Sequence, residues 1–156
     1  MVRSAVTDSQ RGDFLRRARH LLDAQRSGVL GTRFEGAPHL SLVAFAASDD
    51  LREITFASPA GTRKVAAIQG DPRVSLLVDD RRNLGSDFDA GVALTVTGIA
   101  EPLSASESSA VVPRYLGRHP DLAGFVASAS CRFFRIRVQR CSLVSRFQEV
   151  EELTME

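Results

Sequence analysis

Apolar residues recur along the chain with two different periods, which predict a mainly β protein with a few attached helices. Near the N-terminus, Phe14, Ala18 and Leu21 repeat with helical spacing, and Gly28 is expected to end that helix. The apolar runs that follow are short and separated by turn residues, which is typical of strands. Six strands are predicted, in the order VLGTRF, APHLSLVAFAAS, EITFA, VSLLVDD, VALTVTGIAEPL and CRFFRIRVQRCSLV.

Further helices are predicted between these strands. One runs through AGTRKVAAIQG, with Ser58 as its N-cap and Pro59 in its first position. A second opens at the capping box Ser104–Glu107 and runs to about Leu116, and a short one is expected in HPDLAGFVA. Because turns rather than strand–helix–strand crossovers join most strands, we expect a six-stranded antiparallel β-barrel with attached helices, in one domain spanning residues 1–156.

Composition and charge narrow the range of functions. A formal net charge of +1 gives no support for a nucleic acid or an acidic membrane as a partner. The N-terminus lacks the apolar core of a signal peptide and no apolar run is long enough to span a bilayer, so a cytoplasmic protein is expected. Cys131 and Cys141 are interpreted as reduced thiols on one face of the last strand. The scattered histidines have no zinc-site spacing, so no metal is predicted.

One stretch, FASPAGTRK, places two cations at the predicted start of a helix. Arg63 is followed by Lys64, the only lysine beside nineteen arginines. A helix N-terminus has unpaired N–H groups and a partial positive charge, so cations there are unfavourable unless an anion joins them. A phosphate would accept bonds from both side chains, from the backbone at residues 61–63, and from the hydroxyl groups of Ser58 and Thr62. The alternative interpretation is a pair of solvated surface charges.

The order of elements around this stretch resembles the FMN-binding split-barrel family that includes pyridoxamine 5′-phosphate oxidase. In that family, a strand that ends in Phe and a Thr-containing pair is followed by Ser-Arg-Lys at the start of a helix, and then by Asn-Pro-Arg and an apolar strand. Here F…S…GTRK and DPRVSLLV stand in the same register. GIAEPLS, YLGRHPDL and SLVSRF are similar to the related haem-degrading proteins and to uncharacterised FMN-binding relatives. The resemblance covers most of the chain after residue 20.

The resemblance implies a split barrel that binds FMN at the interface of a homodimer. Arg63 and Lys64 would hold the FMN phosphate, with Ser58 and Thr62 as hydroxyl donors. The strand from Ser41 to Ala46 would pass along the isoalloxazine ring and offer backbone groups to it. Its candidate contacts are Ser41, Leu42, Val43 and Ala44. Residues of the second subunit would complete the site.

The substrate side of the oxidase pattern is absent from this chain. Where true oxidases carry an arginine and a substrate-binding lysine in the strand near His39, this sequence has Ser41 and Ala46. The position of a flavin-contacting glutamine is occupied by Ala93, and the tail SRFQEVEELTME lacks the Arg-x-His pair of the oxidases. Oxidation of a B6 vitamer is therefore not expected.

Two other segments are candidates for flavin contacts in place of the missing residues. The long loop RRNLGSDFDAG contributes Arg82 and Asn83, and the tail contributes Arg146 and Gln148. Of these residues, Arg146 is slightly better placed, because the tail often reaches the flavin of the partner subunit in this family. Each of these residues is alternatively a solvated polar side chain.

The sequence thus predicts an FMN-binding flavoprotein that acts as an oxidoreductase on an unknown small molecule, with a nicotinamide nucleotide as a candidate electron donor. The chemistry would be that of the flavin, so no catalytic side chain is named. Three alternatives stay open: a deazaflavin-dependent reductase, a haem-binding or haem-degrading protein, and a non-catalytic flavin-binding protein. His119 is the candidate axial ligand for haem, although a structural role is favoured for it.

Overall fold

A computed structural model describes residues 2–146 and 149–155 of the chain. The strands are β1 (Val2–Ala5), β2 (Ser27–Phe34), β3 (Ala37–Ala47), β4 (Glu53–Pro59), β5 (Arg73–Asp79), β6 (Ala93–Pro102), β7 (Cys131–Ser145) and β8 (Glu149–Thr154). The helices are α1 (Asp8–Ala24), α2 (Arg63–Gly70), α3 (Asp87–Ala90), α4 (Ala105–Arg118) and α5 (Ala123–Val126), with a 3₁₀ turn at Pro120–Leu122 before α5. In the described part of the chain, none of these helices has the length and apolar character required to cross a membrane.

Strands β2 to β7 close into an antiparallel barrel. Their order around the barrel is β7-β4-β3-β2-β5-β6, and β6 pairs with β7 again to close it. The sequence predicted each of these six strands and their antiparallel arrangement, and that prediction is confirmed. The tight turn between β2 and β3 also lies where it was expected, at Glu35 and Gly36, which have φ angles of 51° and 81°.

The alternation of side chains along the barrel strands separates two packed layers. Inside the barrel, buried residues such as Phe45, Phe56 and Leu76 form the main core, to which α1 contributes Phe14. Outside, α4 packs Tyr115 against β3 and the start of β7, where it contacts Phe133 in a second buried cluster. Helix α4 therefore covers part of the outer surface of the barrel.

The sequence missed two strands and misplaced two helix boundaries. β1 and β8 form a parallel pair, and β8 extends the sheet beside the second half of β7. Helix α1 ends at Ala24 rather than at Gly28, which is a buried position of β2. Ser58 is not the N-cap of α2, because β4 continues to Pro59 and the N-cap is Thr62. The capping box at Ser104 is confirmed, as its hydroxyl accepts a bond from the Glu107 N–H.

A β-bulge in β7 corrects the interpretation of the two cysteines. Thr97 pairs with Arg140 whereas Gly98 pairs with Val138, which leaves Gln139 as an extra residue in β7. Before this point the even-numbered side chains of β7 face the barrel core, and after it the odd-numbered ones do. Cys131 lies in the outer cluster and Cys141 in the barrel core, so the two thiols lie on opposite faces and not on one. Both cysteines are free.

Candidate functional site

The start of α2 lies at the place where the barrel opens between β3 and β4. These strands pair only at Phe45–Ala47 of β3, whereas β3 pairs with β2 from Ala37 to Ala44. In the described residues, the β4-facing edge of β3 at Ser41–Ala44 therefore has no strand partner. β4 continues past this pairing to Pro59, and α2 begins at Arg63, so α2 starts at the end of β4 where β3 and β4 are no longer paired. The unpaired edge of β3 and the N-terminus of α2 thus lie towards the same end of the β3–β4 pair.

Local geometry leaves the first backbone N–H groups of α2 without intrahelical partners. Thr62 is extended, with φ −87° and ψ 158°, and its carbonyl accepts the first helical bond from the Ala66 N–H at 3.2 Å. The N–H groups of Arg63, Lys64 and Val65 precede that bond, and groups in this position are free to bind an acceptor. The sequence predicted an anion at the N–H groups of residues 61–63, and the later helix start moves the free donors to 63–65.

A buried hydroxyl organises the polar side chains at this point. Ser58 is only 1% exposed, and its Oγ donates to the Pro59 carbonyl at 3.2 Å. With its proton engaged there, Ser58 Oγ accepts from Thr62 Oγ1 at 2.9 Å and from Lys64 Nζ at 3.3 Å. Ser58 therefore orients Thr62 and Lys64. Its predicted direct bond to a phosphate stays a prediction.

The charge at this site is uncompensated within the described part of the chain. No carboxylate there lies within 4.0 Å of Arg63 or Lys64, although many other arginines of the fold have an acidic partner within that distance. Arg63 is exposed and Lys64 is half-buried. Burial lowers the pKa of Lys64, because it disfavours the charged ammonium. Two cations and free N–H groups in one place form the donor set of a phosphate site.

The candidate ring contacts on β3 alternate between core and solvent. Val43 is buried in the barrel core, whereas Leu42 is 73% exposed on the outer face. Ser41 carries a buried Oγ that has no hydrogen-bond partner in the described part of the chain. The Ala44 carbonyl accepts a bond from Tyr115 Oη at 3.4 Å, so α4 closes one end of the open edge. Along the rest of this edge, β3 offers its backbone groups.

Arg82, Asn83 and Arg146 lie apart from the start of α2 within one chain. Arg82 and Arg146 line a cavity of about 1020 Å³ between α1, the loop after β5 and the end of β7. Asn83 lines a neighbouring groove of about 790 Å³. Neither space is lined by any of the described residues from 58 to 64. Gln148 lies outside the described residues. The candidate residues therefore lie in two groups: those of β3 and the start of α2, and those that line these two spaces.

His119 has a structural role, as favoured from the sequence. It is 6% exposed, and its Nε2 lies 2.8 Å from the Phe45 carbonyl oxygen, which requires that Nε2 carries the proton and donates. The ring also packs against Tyr115, with the centroids 4.9 Å apart. Because Nε2 is committed to a buried hydrogen bond, His119 does not present that nitrogen as an axial ligand for haem.

The sequence did not identify Arg132 as a residue near the site. Arg132 is directly opposite Ser58 in the β4–β7 pairing, so it lies beside the group that holds Lys64. The local sequence gave no indication of this, because the proximity depends on the register between two strands that are far apart in the chain. A prediction of the pairing between β4 and β7 would have been needed to reveal it.

The chain matches a protein-family model. Residues 14–145 match the model described as pyridoxamine 5′-phosphate oxidase, which is most of the chain. No curated protein matches the sequence. The matched range contains β2 to β7 and the start of α2, and therefore the barrel and the candidate phosphate site.

Solved structures share the fold. A haem-binding protein from Mycobacterium smegmatis has a TM-score of 0.79 at 20% identity, over 90% of this chain and 57% of that one. General stress protein 26 from Bacillus anthracis str. Sterne has a TM-score of 0.71 at 18% identity, over 91% and 98% of the two chains. A FAD-binding protein from Mesorhizobium loti has a TM-score of 0.64 at 24% identity, over 81% and 89%. At these identities the likeness shows the fold alone, and the chain spans little more than half of the M. smegmatis protein.

Proposed function

Since the chain belongs to the pyridoxamine 5′-phosphate oxidase family, we propose that it binds FMN and serves as a flavin-dependent oxidoreductase for a small molecule. One observation carries this proposal: Arg63 and Lys64 stand at the N-terminus of α2 with no carboxylate within 4.0 Å among the described residues. Such an arrangement costs stability in the empty protein and is favourable when a phosphate is bound.

The residues at the site fit a flavin nucleotide. Arg63, Lys64 and the free N–H groups of residues 63–65 would hold the phosphate, and the Thr62 hydroxyl would have to turn its proton from Ser58 to the ligand in order to add a further bond. The unpaired edge of β3 at Ser41–Ala44 offers N–H and C=O groups to the polar rim of an isoalloxazine ring. Bound FMN would supply the capacity to accept and donate electrons. The protein's own groups bind and orient, and none of them is assigned as an acid or a base.

The substrate we propose differs from that of the family's namesake. Ser41 and Ala46 stand on β3 where cationic side chains would be required for a phosphorylated B6 vitamer, and Ala93 stands on β6 where an amide was expected. Neither Ser41 nor Ala46 carries a charge that could pair with the phosphate of such a substrate, whereas Ala93 concerns a contact to the flavin and not to the substrate. We therefore propose an uncharged or differently charged small molecule as substrate, a nicotinamide nucleotide as electron donor, and the cytoplasm as location.

We further propose that the protein is a homodimer formed through the outer face of the barrel. Strand register places three apolar residues, Leu42, Val29 and Leu77, side by side across β3, β2 and β5. Leu42 is 73% exposed, and Leu40 on the same face is 67% exposed. An apolar row of this kind on a sheet is characteristic of an interface. A second copy would bring its own loop after β5 and its own end of β7 towards the flavin, which would explain why these candidate segments lie apart from α2 within one chain.

Replacing Leu42 with aspartate is expected to convert the dimer into monomers and to weaken FMN binding at the same time. The carboxylate would be buried against the apolar row of the partner without a counter-charge. Sedimentation velocity measures the change in mass, and a flavin titration of the same sample measures affinity. Ala110→Asp, at an exposed position of α4, is the matched control and should leave both unchanged. A wild-type protein that sediments as a monomer contradicts the interface.

As the pH rises, FMN binding should weaken at a lower pH than it would if Lys64 had the pKa of an exposed lysine. Because burial lowers the pKa of Lys64, its charge is lost from the empty protein at a lower pH, and phosphate binding then requires a proton to be taken up. In the same window the free energy of unfolding of the empty protein should rise with pH, since the unfolded chain retains that proton longer.

The dissociation constant of FMN, measured from neutral to alkaline pH, tests this expectation. Lys64→Arg is the comparison, because a guanidinium stays charged throughout the range, and the alkaline loss should largely disappear in that variant. Riboflavin, which lacks the phosphate, controls for changes in the ring itself. Identical pH profiles for the wild type and Lys64→Arg would exclude Lys64 as the titrating group.

The absorption spectrum of the purified protein, before and after addition of FMN, tests the proposed function as a whole. Flavin bands that are released as FMN on denaturation support it, and oxidation of a reduced nicotinamide nucleotide by the loaded protein supports catalysis. A deazaflavin-like band or a Soret band would assign the site to one of the other cofactors. Retained flavin without turnover would indicate a non-catalytic flavin-binding protein, and a colourless protein that ignores FMN would overturn the proposal.

A further inference from the structure

We infer that Arg132 is a third cation of the phosphate site, contributed by β7 to the start of α2. The inference rests on the proposed function, because it concerns the nucleotide that this site would bind. It adds a specificity-determining residue to a site whose other donors all come from the segment 58–65. The ligand chemistry is a phosphate group, belonging either to a flavin mononucleotide or to a flavin dinucleotide.

Strand register places Arg132 beside the polar cluster. Ser58 of β4 and Arg132 of β7 are directly opposite each other in an antiparallel pair, so their side chains leave the sheet on the same face. The Cβ atoms of such pairs are about 4.5–5.5 Å apart. Ser58 Oγ in turn accepts the bond from Lys64 Nζ at 3.3 Å. An arginine side chain that starts from this position is long enough to reach a ligand held by Lys64.

Hydrogen bonds fix the Arg132 guanidinium next to the turn that leads into α2. Its Nη1 donates to the carbonyl oxygens of Ala129 and Cys131, both at 2.9 Å. The same segment is tied to the turn, because the Ala60 N–H donates to the Ser130 carbonyl at 2.9 Å. Anchoring one nitrogen in this way restricts the side chain, which reduces the entropy lost when the other donors bind a ligand.

The remaining donors of Arg132 have no protein acceptor in the described part of the chain. Only Nη1 makes hydrogen bonds there, and no described carboxylate lies within 4.0 Å of the guanidinium. By contrast, Arg135 and Arg137 on the same strand both contact Glu101. Arg132 is exposed, so its Nε and Nη2 are accessible to a ligand. It shares with Arg63 and Lys64 the property of an uncompensated charge.

A variant that removes the charge and keeps a polar side chain tests the inference. In Arg132→Gln the charge is lost, whereas the bond from the Ala60 N–H to the Ser130 carbonyl, which ties the segment to the turn, involves backbone atoms alone and is preserved. We expect the dissociation constants of FMN and FAD to rise about tenfold, since a charge-assisted bond to phosphate contributes about this much, and that of riboflavin to stay unchanged. Arg137→Gln removes the same charge from the same strand at a distance from α2 and should change none of the three.

The outcomes distinguish FMN from FAD as the source of the phosphate. They also distinguish a failure of the Arg132 inference from a failure of the proposed function. A loss for both nucleotides assigns Arg132 to the phosphate that they share, whereas a loss for FAD alone assigns it to the second phosphate of a dinucleotide. Equal constants for the variant and the wild type, or an equal loss for riboflavin, overturn the inference while FMN binding by the wild type still upholds the proposed function. A wild type that binds neither nucleotide overturns both.

Discussion

Replacing Arg63 with alanine is expected to weaken FMN binding about ten- to a hundredfold while leaving the fold intact. A charge-assisted hydrogen bond to a phosphate contributes about 1.5–3 kcal/mol, which corresponds to this range of dissociation constants. The side chain is exposed and makes no ion pair with the described residues, so its removal breaks no contact that holds the barrel together. The change should be visible in a fluorescence titration with FMN and absent in one with riboflavin.

The same substitution should have the opposite effect on the stability of the empty protein. A cation in the first turn of a helix opposes the positive end of the helix dipole, at a cost of about 0.3–1 kcal/mol. Arg63→Ala should therefore slightly raise the melting temperature of the empty protein and reduce the further rise that FMN causes. Arg52→Ala, in the turn between β3 and β4, is the matched control, because it removes an exposed arginine away from α2. If FMN binds both variants as tightly as the wild type, Arg63 does not hold the phosphate.

The six strands of the barrel were predictable because each of them carries its own signal. β5 and β6, for example, bury every second residue, and the turn at Gly36 has the residue type that a positive φ requires. β1 and β8 carry weaker signals: they are short, and β8 is rich in glutamate. Their pairing is a contact between the two ends of the chain, which no local pattern reveals.

The candidate site was predictable in part, for a related reason. The cations at Arg63 and Lys64 form a local motif, so their place at the start of a helix followed from the sequence. The N-cap was assigned to Ser58 instead of Thr62, because both are good caps and only the pairing of β4 with β7 extends the strand past Ser58. Arg132 comes to the site through that same pairing. The register between two strands far apart in the sequence therefore determined the N-cap of α2 and the position of Arg132, which local propensity could not.

The second large effect is expected at Gly98, where Ala should lower the free energy of unfolding by about 3 kcal/mol, at the upper end of the cost of overpacking a core. A Cβ at this position would collide with the Arg137 carbonyl oxygen and lie 2.9 Å from the carbonyl carbon, both of which are backbone atoms of the paired strand. A backbone cannot move aside as a flexible side chain does, so β6 and β7 would have to separate.

Gly98 lies at the bulge where β7 exchanges one pairing partner for another. On one side of Gln139 the strand pairs with β4, and on the other side it pairs with β8, while β6 follows it on the opposite edge. The bulge also turns Cys141 into the core. Substituting a side chain at Gly98 therefore strains the pairing that closes the barrel, and the cost should appear throughout the cooperative unfolding transition.

Urea unfolding followed by circular dichroism measures this cost, with Gly12→Ala as the matched control. Gly12 lies in α1, and a methyl group added there would meet no atom of another element within 4 Å, so alanine should stabilise the helix by up to about 1 kcal/mol. The same Gly-to-Ala change is thus expected to have opposite signs at the two positions. A Gly98→Ala protein with the unfolding midpoint of the wild type would show that β6 and β7 tolerate a wider separation, and that the close approach at the bulge does not hold the barrel closed.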